Sequence, residues 1–171
     1  MSTKFVISLV LALCFVVPAI GQGGARGTAD ATVGGKAVSI TYGRPNWGGT
    51  DRMSQMPVGF VWRLGMNQAT EINSAGTIVL EGGKTLPAGK YTLWVKRDGD
   101  NSWKLEFNSK TGIWGAPTPT DGFIAETPLN LTKGGATVEQ LTIGLAAKGK
   151  DTAAVDIKWG TNELTGAFKV H

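Results

Sequence analysis

Histidine and cysteine are almost missing from these 171 residues. There is one of each: His171 at the carboxyl end and Cys14 near the start. A Ser-His-Asp or Cys-His nucleophile needs an imidazole, and zinc is usually held by imidazole and thiolate, so both chemistries lack their groups. Charge is scarce too, with 18% Asp, Glu, Lys and Arg against a usual quarter. That argues against a coiled coil and against a highly charged disordered chain. The net charge of +4 is dispersed along the chain, whereas a nucleic-acid binder shows a basic stripe or cluster. No Walker or dinucleotide glycine pattern opens a helix. The Gly-Gly pairs at 34–35, 48–49, 82–83 and 134–135 read instead as turns. No catalytic residue, metal ligand set or cofactor is expected. No apolar run reaches the roughly 20 residues that a membrane helix needs.

The longest apolar run, Phe5 to Val17, follows the basic Lys4 and stops at Pro18. Ala19-Ile20-Gly21 then offers small residues where a signal peptidase cuts. This is the layout of a secretory signal peptide over residues 1–21, which predicts export to the periplasm or beyond the cell, with no stable membrane insertion after cleavage. Leu13 precedes Cys14 where lipid attachment wants a small residue. The remaining chain, Gln22 to His171, has no cysteine, so its core alone must hold it. About 150 residues suffice, since such a chain buries about 68–70% of its unfolded surface.

Glycine is abundant, with 25 residues, and so is tryptophan, with 6. Residues 22–30 (QGGARGTAD) carry almost no apolar side chains and read as a flexible lead-in to one domain over 31–171. From there apolar residues recur with period two. The segments are Lys36–Tyr42, Val58–Arg63, Gly76–Glu81, Lys90–Arg97, Ser102–Asn108, Val138–Leu145, Ala154–Trp159 and Leu164–Val170. Asp98 to Asn101 (DGDN) fits a tight hairpin. Its calcium-loop reading fails, because Trp103 and Ser109 stand where Gly and Glu are needed. Thr111 to Thr120, with two Pro and two Gly, reads as a long loop. Eight or nine alternating strands without a helix predict an all-β fold, an antiparallel β-sandwich of immunoglobulin-like or jelly-roll-like type.

Several runs occur in succession. Ile40-Thr41-Tyr42-Gly43-Arg44-Pro45 is followed by Val61-Trp62-Arg63-Leu64-Gly65-Met66-Asn67-Gln68-Ala69-Thr70. Leu86-Pro87-Ala88-Gly89-Lys90-Tyr91, the Trp103–Asn108 strand and Trp114-Gly115 come next. This succession resembles the exported bacterial family known as domain of unknown function 2911, over about Ala31 to Lys169. The resemblance implies an exported β-rich domain and no activity.

Arg63, beside the inward-facing Trp62, is the best candidate for a binding residue. Arg44, Arg52 and Asn67 are candidates to join it, because converging guanidiniums suit a carboxylate or phosphate. The structural alternative pairs Arg63 with a carboxylate such as Glu71, or with loop carbonyls. Trp62, Trp103 and Trp159 are in phase with their strands and read as core. Trp94 is out of phase, and Trp47 and Trp114 fall in Gly-rich loops. Those three are candidate stacking platforms for a saccharide, with Trp47 and Trp114 as walls of the arginine site. The expected role is non-catalytic binding of a small anionic or saccharide ligand at one sandwich end. The alternative is an envelope interaction or scaffold module. A two-carboxylate glycoside hydrolase comes last, since no pair of acids stands out.

Overall fold

The computed structural model describes residues 26–171. The expected signal peptide, and residues 22–25 of the lead-in, lie outside the described residues. The strands are β1 (Arg26–Val33), β2 (Lys36–Gly43), β3 (Val61–Trp62), β4 (Thr70–Ser74), β5 (Ile78–Val79), β6 (Thr85–Leu86), β7 (Gly89–Arg97), β8 (Trp103–Asn108), β9 (Phe123–Lys148) and β10 (Thr152–Val170). Among the described residues there is no α-helix, only one 3-10 turn at Glu81–Gly83. All pairings are antiparallel, in the order β1-β2-β4-β7-β8-β9-β10-β5-β6, with β3 also on β7.

A sheet this long must twist and fold over, and β9 and β10 are where it does so. The first part of β9 pairs with β8, and from Asn130 onward its partner is β10. The ladder is interrupted between Val138 and Lys133, where Gly134 and Gly135 lie. β10 is interrupted opposite, on either side of Gly160. That irregularity explains an oddity of phase. Ala153, Val155, Ile157 and Trp159 are buried at odd positions, then Asn162, Leu164, Phe168 and Val170 at even ones. One bulge inverts the period-two pattern, so the two segments expected as separate strands form one.

The two layers are stitched where β2 ends. Pro45–Trp47 runs on to meet β9: the Leu141 N–H donates to the Pro45 carbonyl at 3.0 Å, and the Trp47 N–H donates to Glu139 at 2.7 Å. Three tryptophans fill this seam. Trp159 of β10 stacks on Trp62 of β3, with ring centroids 5.5 Å apart and planes 12° off parallel. Trp47 meets Trp159 edge-on, also at 5.5 Å. The Trp159 indole N–H donates to the Pro45 carbonyl at 3.1 Å. All three rings are buried within one core. Deleting a side chain of this size from a core costs about 3–5 kcal/mol.

Four expectations change. The lead-in begins β1: Arg26 pairs with Gly43 and Asp30 with Ser39. Its poverty in apolar side chains is a packing requirement at Gly27, where a Cβ would lie 2.6 Å from the Tyr42 ring. The segment Val58–Arg63 shrinks to two strand residues. A turn returns Phe60 N–H to the Pro57 carbonyl, with Gly59 at φ 86°, which leaves Val58 and Phe60 in solvent. Phe123–Thr137 is strand, although its sequence shows no clear alternation. Trp94 is fully buried, but outside the main core. Phe123 packs edge-on to it, and the 109–122 loop covers it through Thr92, which accepts from the Trp94 indole N–H and donates to the Lys110 carbonyl.

Gly160 is the residue the seam tolerates least. It sits at φ 61°, and a Cβ there would lie 2.3 Å from the Trp47 ring. Gly160→Ala combines left-handed strain with overpacking, each costing about 1–3 kcal/mol. The melting temperature should fall by about 5–10 °C. Gly135→Ala, where nothing lies within 4 Å, is the control and should melt with the parent. Equal melting of both variants would disprove the seam's role.

Candidate functional site

The run from Trp62 to Thr70 is mostly occupied with holding itself in shape. Trp62 joins the indole stack. Leu64 is fully buried and takes φ 46°, a left-handed backbone that costs a leucine free energy. Thr70 restrains that turn by donating its hydroxyl to the Leu64 carbonyl. Gly65, at φ 147°, packs against β2, and its Cβ would lie 3.0 Å from the Gly43 carbonyl oxygen. Gly43 is more crowded still, since a Cβ there would be 2.1 Å from the Met66 oxygen. Asn67 takes φ 62°, and its carbonyl accepts the Gly115 N–H at 2.8 Å.

Arg63 is the exception. Among the described residues its guanidinium has no hydrogen-bond acceptor and no carboxylate partner. Glu71 is not that partner, because its carboxylate accepts the Gly112 N–H at 2.6 Å. Arg63 lines a pocket of about 390 Å³. Trp62 and Trp159 contribute at its base, Pro45, Met56, Pro57 and Phe60 supply apolar wall, and Arg52 and Gln55 supply polar groups. Arg52 is exposed and likewise has no acceptor for its guanidinium among the described residues. An apolar hollow with a few polar groups at its edge has the character of a small-molecule site. A larger concavity, about 680 Å³, lies over β1, β2 and β4. Its lining of Ala, Ser, Thr and Asn side chains, with Asp30, offers no comparable convergence.

The loop that carries Arg52 is fastened at both ends. Asp51 accepts from the Ser54 N–H and hydroxyl and from the Asn162 amide, and lies 3.9 Å from Lys133 Nζ. Burial pushes the Asp51 carboxyl up, but the Ser54 and Asn162 hydrogen bonds with the Lys133 charge outweigh it. The net value lies below the ordinary 3.8. At the other end Arg97 donates to the carbonyls of Met56 and Ser54, and to those of Gly99 and Asp100 across the hairpin. Its guanidinium also lies 6.0 Å from the Trp103 ring centroid. Arg97 therefore holds the Met56 wall of the pocket.

Of the residues singled out by sequence, Arg52 and Arg63 come together in the pocket. Arg44 does not: its Nε donates to the Leu141 carbonyl at 3.3 Å, beside the seam. Asn67 is exposed and outside the pocket lining. Trp47 is buried as a seam residue, so it walls nothing. Trp114 is 61% exposed and does not line the pocket. The three-tryptophan platform is therefore not formed, because Trp47 and Trp94 are both buried. Asp51, Met56, Phe60 and Arg97 were not singled out. Asp51 had a local signal, an Asp three residues before a Ser, which favours a side-chain-capped turn. Arg97 had none for the pocket wall, because the acceptors it holds there, the Ser54 and Met56 carbonyls, are backbone atoms more than 40 positions away.

One carboxylate pair does face across strands, Glu106 of β8 and Glu126 of β9. Burial raises the Glu106 carboxyl, Lys96 opposes, and the Glu126 charge adds to the rise. Glu126 is engaged by Lys104 at 2.6 Å. Neither acid lines the pocket.

Fold and pocket define a class: an all-antiparallel β domain, sandwich-like, with a loop-walled apolar hollow beside the tryptophan seam. The chain belongs to the family described as protein of unknown function, DUF2911, whose model matches residues 25–168. No curated protein and no solved structure matches it.

Because Asp51 is depressed in the fold, its contribution to stability is present above the ordinary carboxylate value. It is lost as pH falls through the lower folded value. Asp51→Asn should therefore melt below the parent at pH 7. The two melting curves should converge as the pH is taken from 4 toward 2. A difference that persists unchanged at pH 2 would show that the carboxylate does not anchor the loop.

Proposed function

We propose that this domain is a non-catalytic binding module, acting outside the cytoplasm, for a small ligand that joins an anionic group to a flat apolar face. The observation that carries this reading is the pair Arg52 and Arg63, without hydrogen-bond or ion-pair partners among the described residues, at an apolar pocket lined by Trp62 and Trp159. A guanidinium presents a planar fork that matches a carboxylate or phosphate through two parallel hydrogen bonds. Neither arginine has an ion pair among the described residues that a ligand would have to break. The apolar base supplies affinity by desolvating one face of the ligand. Export is supported by the basic and apolar amino-terminal segment. A second reading, docking of an envelope protein, is favoured by Val58 at 56% and Phe60 at 44% exposure beside the pocket.

Titration with benzoate, galacturonate, glucose 6-phosphate and neutral glucose, followed by tryptophan fluorescence, tests the first reading. At least one anion should give a saturable change, and glucose should not. Arg63→Ala should weaken that binding by roughly tenfold or more, the loss of a charge-assisted pair, with a melting temperature within about 2 °C of the parent. If no anion registers and Arg63→Ala melts several degrees lower, Arg63 is a structural residue and the reading fails.

A further inference from the structure

Arg63 touches a second feature besides the pocket. Its Cδ lies 3.0 Å from where a Cβ would stand on Gly115, the residue after Trp114. Trp114 is anchored by its backbone, with a bridge to Gln68 and the neighbouring Gly115 N–H bonded to Asn67. Its ring nevertheless stands 61% in solvent. Four large hydrophobic residues are exposed among the described residues: Val58, Phe60, Trp114 and Ile124. Of the two aromatic ones, Phe60 lines the same pocket as Arg63, and Trp114 immediately precedes the Gly115 against which Arg63 lies. Three exposed amides, Gln55, Asn67 and Gln68, belong to the same segments.

We infer that the ligand is a stretch of acidic oligosaccharide, laid from Phe60 across Arg63 to Trp114. This rests on the binding reading above and gives it a substrate class. A sugar ring presents a C–H face that packs flat on an aromatic ring and a rim of hydroxyls that suits amide side chains. A ring carboxylate gives Arg63 its two-bond partner. A single sugar acid in the pocket would leave Trp114 unused, because Trp114 is not part of the pocket lining. The fixed backbone beneath it means that little ordering cost accompanies stacking there.

The experiment compares galacturonate, tetragalacturonate and neutral maltotetraose by calorimetry, on the parent and on Trp114→Ala. Tetragalacturonate should bind the parent roughly tenfold or more tighter than the monomer, and maltotetraose should bind at least tenfold more weakly than tetragalacturonate. Trp114→Ala should bring the tetramer's affinity down toward the monomer's, while circular dichroism shows the same fold. If the tetramer gains nothing over the monomer, or keeps its gain in Trp114→Ala, the oligosaccharide inference is wrong and the pocket reading survives. Equal binding of maltotetraose overturns the acidic class. Binding of benzoate or glucose 6-phosphate with no response to either uronate likewise overturns the inference alone. Silence toward every anion overturns both.

Discussion

The indole stack of Trp47, Trp159 and Trp62 is the contact on which the architecture depends. It joins the loop after β2 and the short strand β3 to the bulge of β10, about a hundred positions further along the chain. Without disulfides, the two layers are held by burial and by the hydrogen bonds that Pro45 and Trp47 make to β9 and β10, and this seam is where they meet. Gly160 makes the stack geometrically feasible by leaving room for the Trp47 ring. The same bulge inverts the phase of β10, so its later residues return to the core. One glycine thus links local backbone geometry, core packing and the base of the pocket.

The segment Trp62–Thr70 shows how a sequence run can look functional while serving mainly the fold. Two non-glycine residues with positive φ, two glycines at close approaches and one buried threonine hydroxyl hold a single turn in place. Left-handed backbone at Leu64 and Asn67 is costly, and it persists because the surrounding packing over-determines it. That rigidity has a use. It sets the Arg63 backbone firmly, while its guanidinium has no acceptor among the described residues. On the proposed reading, a cation on a fixed base would meet an anion with little reorganisation.

The loop bearing Arg52 is positioned by a different means. It has few buried apolar contacts, Met53 being the main one, so polar anchors hold it. Asp51 gathers donors from two elements, and Arg97 spends its donors on backbone carbonyls. Arg97 is therefore a positioning residue for the pocket wall, and it acts through hydrogen bonds to main-chain atoms rather than to side chains.

Period-two alternation, scarce charge and frequent glycine determined the strand class, the antiparallel arrangement and the Asp98–Asn101 hairpin. These are local properties, since a strand's two faces are written in neighbouring residues. The strength of Arg63 as a candidate was also legible, because it sits in a run too specific for an ordinary strand. Tertiary structure alone decided which cations meet. Arg52 joins Arg63 because its loop folds back onto β10, while Arg44 is drawn to Leu141 by the seam. It decided that Trp47 and Trp94 are buried and Trp114 is not, since burial depends on which loop lies over a ring. It also decided that Arg26–Asp30 is a strand: a glycine-rich segment pairs wherever a neighbour offers an edge and a tyrosine ring needs the space. Alternation records a residue's own strand, whereas convergence depends on partners that lie more than a hundred positions away.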